Sequence, residues 1–474
     1  MAAKQSERIK LWGIVQGVGF RPYVAKTADI LDMKGEVLNT GGLVEIILTD
    51  TEERINRFIE RLLSCKPEPA EIVHIKREVI EYRNFETFTI IKSDDGDDDA
   101  AMIPADLAIC PNCIEELYNK KNPRYHHPFI SCMVCGPRYT IMNRIPYDRE
   151  NTSMADFPMC DFCSGEYTDL HDRRYHAQTI SCHECGPHLL WKSQGESLCE
   201  SSDEEILDYA AYILKNEGVI AFKSVGGYNL VADPFSSNAV KKLRDIKNRE
   251  SKPFAVMFRS LEQIKEFCHV NEPEAKLLES SARPIILLEH KEFDDDNKFN
   301  EFKKSRFIGA FLPSFAAQYL LLDRISPLIF TSANISDMPM IKDEREISQL
   351  SRSDSAPLID GILYNKRRIL VRADDSVVRI IDGQPQMIRR SKGYAPVPLY
   401  IEFSKTQAEA ASSELKRFPG IYAAGGQLKN SFALTKGNFL YMSQFFGDMD
   451  TVENQQIYTD SFGRMKKLFR RSFL

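Results

Sequence analysis

RYHHPFISCMVCGP at residues 124–137 returns as RYHAQTISCHECGP at residues 174–187, and these two stretches decide how the chain is organised. Each carries the second of two CxxC pairs. The full set is Cys110/Cys113, Cys132/Cys135, Cys160/Cys163 and Cys182/Cys185, eight of the eleven cysteines, with eighteen residues between the pairs of each half and a period of fifty. Two thiolates on one tight turn bind a metal, and two such turns complete an all-sulfur tetrahedron that suits zinc. The double-CxxC spacing fits a zinc pattern better than a redox motif. Four sulfurs leave no open position, so two structural zinc sites are expected. A four-cysteine site within each repeat is the simplest assignment, and pairs shared between repeats are the alternative that spacing leaves open. His126, His127, His171, His176 and His183 stand nearby, as substitute ligands, substrate contacts or ordinary surface and supporting residues.

Outward from this block, 474 residues exceed one hydrophobic core and suggest about three domains. The formal charge of −6 gives no nucleic-acid footprint, and acidic runs at 94–99 and 294–296 read as solvated. No signal-peptide core and no apolar run long enough for a bilayer are visible, so no membrane partner is expected. Metal-suited CxxC pairs point to a reducing cytoplasm. Cys65, Cys199 and Cys268 are isolated thiols.

Residues 1–92 read as strand (9–15), helix (20–33), strand, strand (43–49), helix (52–64) and a last strand region (72–80 and 86–91), the βαββαβ order of a ferredoxin-like fold. Its first turn, GIVQGVGFRP at 13–22, is the informative part. Gly17 and Gly19 let the backbone of Gln16, Gly17, Val18, Gly19 and Phe20 curl so that amides converge, and Pro22 suits the first helical turn facing that concavity. Arg21 at its rim offers a bidentate fork for phosphate. The plain alternative is a tight strand-to-helix connection. GIVQGVGFRP followed by GEVLN at 35–39 resembles an acylphosphatase domain; the resemblance implies that Arg21 holds an acyl phosphate and Asn39 orients the attacking water.

The acidic linker 93–108 (SDDGDDDAA at 93–101) leads to the double finger repeat at 109–197. In this order, and through CGPRYTIMNRIPYDRENTSMADFPMC at 135–160 and DRRYHAQTISCHECGP at 172–187, the chain resembles the HypF family of hydrogenase maturation carbamoyltransferases. A free-standing zinc module would instead bind protein or nucleic acid.

From 200 to 397 alternating helical and strand signals predict an α/β domain with a twisted mixed sheet. Its marked stretches are KSVGGYNL (223–230), LRDIKNRESKPFAVM (243–257), TSAN (331–334), RADDSVVR (372–379) and MIRRSKGYAP (387–396). Lys247, Arg249 and Lys252 suit phosphate charge, and Ser332 and Asn334 suit substrate oxygens; a solvated helix end and an Asn-bearing turn are the ordinary alternatives. Together these stretches resemble the YrdC-like domain, which forms acyl adenylates. The resemblance places Lys247, Arg249, Lys252, Ser332 and Asn334 around ATP and carbamoyl adenylate, with Ser376, Arg389 and Arg390 on the nucleotide side and Mg-ATP as substrate. There is no Walker loop. Asn229, Tyr319 and Asn365 stand where that pattern expects histidines.

Residues 418–474 resemble the opening of the family's C-terminal transferase domain, the start of a further α/β domain, with Phe445 for the usual His in SQFFGD (443–448). A basic stretch at 462–474 follows, without the downstream metal motifs of that domain. The family's activity implies hydrolysis of carbamoyl phosphate to carbamate, adenylation of carbamate by ATP, and transfer to the C-terminal Cys of a HypE-like acceptor. The last step is expected to fail in a chain that stops here. A threonylcarbamoyl-adenylate synthase of tRNA modification and a non-catalytic zinc scaffold are the alternative expectations.

Overall fold

The computed structural model describes residues 4–40, 43–67, 69–91, 103–193, 197–198, 201–249, 251–291, 305–334, 338–350, 359–401, 420–436 and 439–468. The acidic linker read at 93–101, the run at 294–296, Cys199 and the end of the basic tail lie outside them.

The first sheet holds β1 (Gln5–Ile14), β2 (Gly35–Thr40), β3 (Leu43–Asp50), β4 (Glu71–Ile80) and β5 (Phe88–Ile90) in the order β4-β1-β3-β2-β5. All neighbours are antiparallel except β2 and β5, where Gly35 lies beside Phe88. This is the expected ferredoxin-like sheet with a parallel edge strand added. Alternation along β1 buries Ile9 and Leu11, which meet Val24 and Ala28 of the helix Phe20–Ile30 and Ile55, Phe58 and Leu62 of the helix Glu52–Ser64. The first helix stops at Ile30, before the expected 33, because Asp32 adopts a left-handed φ of 46° while the Met33 amide turns back to Ala28 O at 2.9 Å.

Each finger opens the same way. Cys110 and Cys160 cap the short helices Pro111–Tyr118 and Asp161–Thr168, which carry Cys113 and Cys163 in their first turns. The segment after the second finger reads as part of the cysteine block, yet β6 (Leu190–Lys192) and β7 (Ser197–Leu198) pair into the large sheet, β6 lying antiparallel to the strand Gly361–Tyr364.

That sheet continues with β8 (Ile220–Lys223), β9 (Tyr228–Ala232), β10 (Ala255–Met257), β11 (Ile285–Glu289), β12 (Phe307–Phe311), β13 (Leu328–Ser332), β14 (Gly361–Tyr364), β15 (Val377–Ile381) and β16 (Gln384–Arg389). The order is β16-β15-β11-β12-β10-β13-β9-β8-β14-β6-β7, with parallel pairs β10/β12, β11/β15 and β8/β14 among antiparallel ones. It is the mixed sheet expected. Its central strands β8 and β9 are buried along their whole length, as cover on two faces requires. On one side Ile206, Leu207 and Leu214 pack with Leu320 and with Leu117 and Phe129 of the first finger; on the other, Val240, Leu243, Ile264 and Leu278 pack with Val256 and Ile329.

A small third sheet joins β17 (Leu399–Tyr400), β18 (Tyr422–Ala423), β19 (Ala433–Lys436) and β20 (Phe439–Met442) in the order β17-β20-β19-β18, beside the helix Val452–Leu468. Its Phe432, Leu434 and Tyr441 pack with Tyr139, Met142, Ile145 and Tyr147 from the segment between the fingers.

Candidate active sites and metal centres

The eight cysteines form two clusters, Cys110/Cys113/Cys132/Cys135 and Cys160/Cys163/Cys182/Cys185, each with all four sulfurs within 4.8 Å of one another. The pairs are therefore grouped within each repeat. Neighbouring sulfurs stand 3.6 to 3.8 Å apart. A tetrahedron with Zn–S bonds of about 2.3 Å has S–S edges of about 3.8 Å, so both donor sets fit zinc in size and chemistry.

The two fingers brace each other by reciprocal bonds. Arg124 of the first donates to Glu166 Oε1 at 3.0 Å and to Ser181 O at 2.8 Å in the second. Fifty residues on, Arg174 reciprocates, pairing with Glu116 and donating to Ser131 O at 3.1 Å. Both guanidinium groups are buried. Arg173 adds N–H contacts of 3.4 Å to Cys110 Sγ and Cys113 Sγ. None of the five nearby histidines joins a cluster: His126 pairs with Glu204 at 2.6 Å, His127 meets Ser181 Oγ at 3.1 Å and His183 meets Tyr125 O at 2.9 Å.

The turn Gln16–Phe20 runs left-handed at Gly17 (φ 68°) and Gly19 (φ 75°) and delivers Arg21 on the first turn of the following helix. Arg21 is nearly buried, and its Nη2 donates to Asp148 Oδ1 at 2.8 Å. Asn39 on β2 is buried, and its Oδ1 has no hydrogen-bond partner. The cavity over the turn measures 30 Å³ and is lined by Gln16, Gly17, Gly19 and Arg21 on one side and by Met133, Arg138, His176 and Gln178 of the finger module on the other. Arg138 stitches the two together: its Nε donates to Gly17 O at 2.7 Å and its Nη1 to Cys135 O at 2.6 Å. Burial first, and then the Arg21 charge, push the His176 imidazole down to about 4.

In the large domain, Lys247, Ser332 and Asn334 converge. Lys247 Nζ donates to Ser332 O at 2.5 Å, Asn334 O at 3.1 Å and Asn334 Oδ1 at 2.7 Å, and Ser332 Oγ donates to Asn334 Oδ1 at 2.9 Å. The end of the helix Ser237–Lys247 and the end of β13 bring them there. Burial, and then the Arg249 charge, push Lys247 down to about 7. Arg249 lies over the Phe254 ring at 4.7 Å and donates from Nε to Lys252 O at 3.0 Å; burial and then Arg244 push it down to about 10. The Lys252 side chain beside it is exposed.

Of the remaining expected residues, Arg389 stands near enough to bear on the charges of Lys247 and Arg249, whereas Ser376 and Arg390 are engaged by other partners. Ser376 is buried and used internally, donating to Lys392 O at 2.8 Å and accepting from the Ser391 amide at 2.8 Å. Arg390 donates to Val397 O at 2.6 Å, and Arg389 lies over the Phe445 ring at 4.6 Å. Both arginines line a 750 Å³ cavity shared with Ile14, Val18 and Lys429. Sequence reading passed over Asp374, whose carboxyl is pushed up by burial against the pull of Arg389 and Lys247. It also passed over Asp148 and Arg138, whose partners are too distant in the chain to leave a local signal. The positions expected as histidine are absorbed into packing: Asn229 accepts from Ser224 Oγ, Tyr319 underlies Arg259 at 4.6 Å, and Asn365 Oδ1 accepts from the Arg367 amide at 3.1 Å.

An anion-loop ferredoxin-like domain, paired four-cysteine fingers and a mixed-sheet α/β domain in one chain define a multidomain acylphosphatase, finger and YrdC-like protein. Known families match in the same order: acylphosphatase over residues 7–90, the HypF finger over 109–142 and 159–191, the Sua5/YciO/YrdC family, described as telomere recombination, over 212–391, and the HypF Kae1-like domain over 416–473. Over nearly its whole length the chain is similar to HypF carbamoyltransferases. It is 40% identical over 97% of its length to carbamoyltransferase HypF of Synechocystis sp., and 38% identical over 98% to probable carbamoyltransferase HypF of Methanocaldococcus jannaschii. It spans 58% of the length of each. It superposes along its whole length, with a TM-score of 0.90 and 36% identity, on 60% of a crystal structure of full-length HypF in the phosphate- and nucleotide-bound form. No described helix is long and apolar enough to cross a membrane.

Proposed function

We propose that this chain carries the first two chemical stages of a HypF-type carbamoyl transfer in hydrogenase maturation, in the cytoplasm. At the first site, the amides of Gln16–Phe20 and the Arg21 fork bind the phosphoryl oxygens of carbamoyl phosphate, and Asn39 Oδ1 accepts from the attacking water. Water attacks phosphorus, the P–O bond to the acyl group breaks, and phosphate and carbamate leave. Acyl phosphates are already activated, so positioning and oxyanion neutralisation suffice without a strong base. At the second site, a carbamate oxygen attacks the α-phosphorus of Mg-ATP, forming carbamoyl adenylate and releasing pyrophosphate. Lys247 and Arg249 neutralise phosphate charge there, Ser332 and Asn334 hold substrate oxygens, and Arg389 and Arg390 face the nucleotide. The zinc sites are structural, and the domain limits follow the ranges read above, except that residues 190–198 go with the sheet of the following domain. The carbamoyl group is destined for the C-terminal cysteine of a HypE-like acceptor. Carbamate is short-lived in water, so an enclosed path bordered by the fingers is part of the proposal; full-yield trapping of carbamate in bulk solution during turnover would count against that path.

The observation that carries this reading is the co-occurrence of two anion-suited sites in one chain: Arg21 over its glycine turn, and the Lys247/Ser332/Asn334 cluster. The test is pyrophosphate release from Mg-ATP with and without carbamoyl phosphate. Stimulation is expected in the native chain and is lost in both Arg21→Ala and Ser332→Ala. Release that depends on threonine and bicarbonate instead would favour a threonylcarbamoyl-adenylate synthase, and no release from the folded, zinc-loaded chain would favour a scaffold.

A further inference from the structure

We propose that Asp148, supplied by the segment between the two fingers, is the positioning residue for Arg21, so that the finger module completes the acyl-phosphate site of the first domain. The inference rests on the acylphosphatase reading above.

An arginine side chain loses about 2 kcal/mol of rotamer freedom when it is held in one geometry, and a fork that must meet phosphate in one plane gains from being oriented beforehand. Asp148 Oδ1 receives Arg21 Nη2 at 2.8 Å, with the two side chains 23% and 10% exposed. The backbone that carries the carboxylate is itself held in place. The Asp148 amide donates to Pro146 O at 2.9 Å, and its carbonyl accepts from Asn151 at 2.8 Å. The next residue, Arg149, is clamped to the second finger, donating from Nη1 to Gln178 O and Ile180 O, both at 2.9 Å, and from Nη2 to Phe157 O at 2.6 Å. A chain of hydrogen bonds therefore runs from the backbone of the second finger to the guanidinium that faces the glycine turn.

The surroundings leave little slack. A Cβ at Gly19 would come within 2.4 Å of Met133 Cγ, and one at Gly17 within 2.7 Å of Pro104 Cγ, so the anion turn is pressed against neighbouring residues. The 30 Å³ cavity between turn and finger holds about two waters. His176, which lines this cavity with Tyr147, is neutral at pH 7 and does not compete with Arg21 for the Asp148 carboxylate.

The test measures carbamoyl phosphate hydrolysis by the full chain without ATP, inhibition by inorganic phosphate, and zinc content as the check on folding. In Asp148→Ala, KM is expected to rise and phosphate inhibition to weaken together, each by about tenfold, the worth of one hydrogen bond between charged groups. Asp148→Asn keeps an oxygen that accepts from Nη2 and should stay within about threefold of the native chain. Should Asp148→Ala lose zinc, Asp148→Glu, which displaces the carboxylate by one methylene, takes its place with the same expected rise. Native kinetics in Asp148→Ala would overturn the inference. So would tighter phosphate inhibition, which would make Asp148 a competitor of the substrate anion. Unimpaired hydrolysis by Arg21→Ala would remove the first-domain reading itself, whereas an inactive Arg21→Ala beside a normal Asp148→Ala would remove only this inference.

Discussion

At the scale of single residues, Lys247 shows how burial sets a working range of pH. Three oxygens converge on its ammonium, yet burial and the neighbouring Arg249 push it down to about 7. Between that value and the unfolded value of about 10.4, the unfolded chain binds the extra proton, so this site's contribution to stability rises with pH across the window and its cost is greatest below it. A polyphosphate ligand asks for the opposite, because only the ammonium neutralises it. We expect ATP affinity to fall by about tenfold between pH 6 and pH 8 as Lys247 loses its proton, and the slope to vanish in Lys247→Arg, whose guanidinium stays charged. Calorimetric titration of both proteins checks this, since the ionisation of ATP is common to the two; parallel profiles would refute it. At this scale Gly17, Gly19 and Arg21 were legible because a glycine turn before a helix is a local feature. Asp148 was not, because its bond to Arg21 joins residues 127 apart. Ser376 was misleading for a related reason: a serine in a polar phrase reads as a ligand contact until its oxygen is seen tied to Lys392 and Ser391.

At the scale of elements, the fifty-residue period made the paired fingers readable, because a repeat in sequence is a repeat in shape. What the spacing left open, the side chains resolve: each cluster closes within its own repeat, and arginines rather than cysteines cross between repeats. Arg124 is 1% exposed and Glu166 17% exposed. Removing one partner of a buried pair leaves an uncompensated charge, at a cost of about 3 kcal/mol. Arg124→Ala is therefore expected to release zinc from the second cluster well below the native melting range, followed with a chromophoric chelator during heating. Adding Glu166→Gln should recover part of that loss, because the stranded carboxylate is gone; a double variant that melts lower still would show that the pair matters by packing alone. The boundary of this module was less legible. β6 and β7 follow the second finger without a break but hydrogen-bond into the sheet of the next domain, and strand pairing across such a separation has no signature in composition.

At the scale of the whole molecule, the order of parts was readable and their mutual packing was not, since the contacts that join them are made by residues far apart in the chain. The C-terminal piece is the clearest case. Some fifty-five residues bury little by themselves, and the structure gives this piece a shared core instead. Phe432, Leu434, Tyr441, Phe446 and Met465 pack on Tyr139, Met142, Ile145 and Tyr147, and Tyr139 Oη donates to Gln444 Oε1 at 3.0 Å. Tyr147 also lines the anion cavity, next to Asp148. A chain ending at residue 401 would expose these four side chains of the segment between the fingers, each losing about 1.5–3 kcal/mol of burial. Such a chain should become sensitive to limited proteolysis between residues 138 and 149, while its zinc content and the protection of the large sheet persist, because their cores are separate from this one. The same loosening should weaken inorganic phosphate inhibition of carbamoyl phosphate hydrolysis, since the segment that carries Asp148 loses the packing that holds it. Proteolysis confined to other regions, with phosphate inhibition unchanged, would mean that the fingers alone hold that segment and that the C-terminal sheet is a passenger on it.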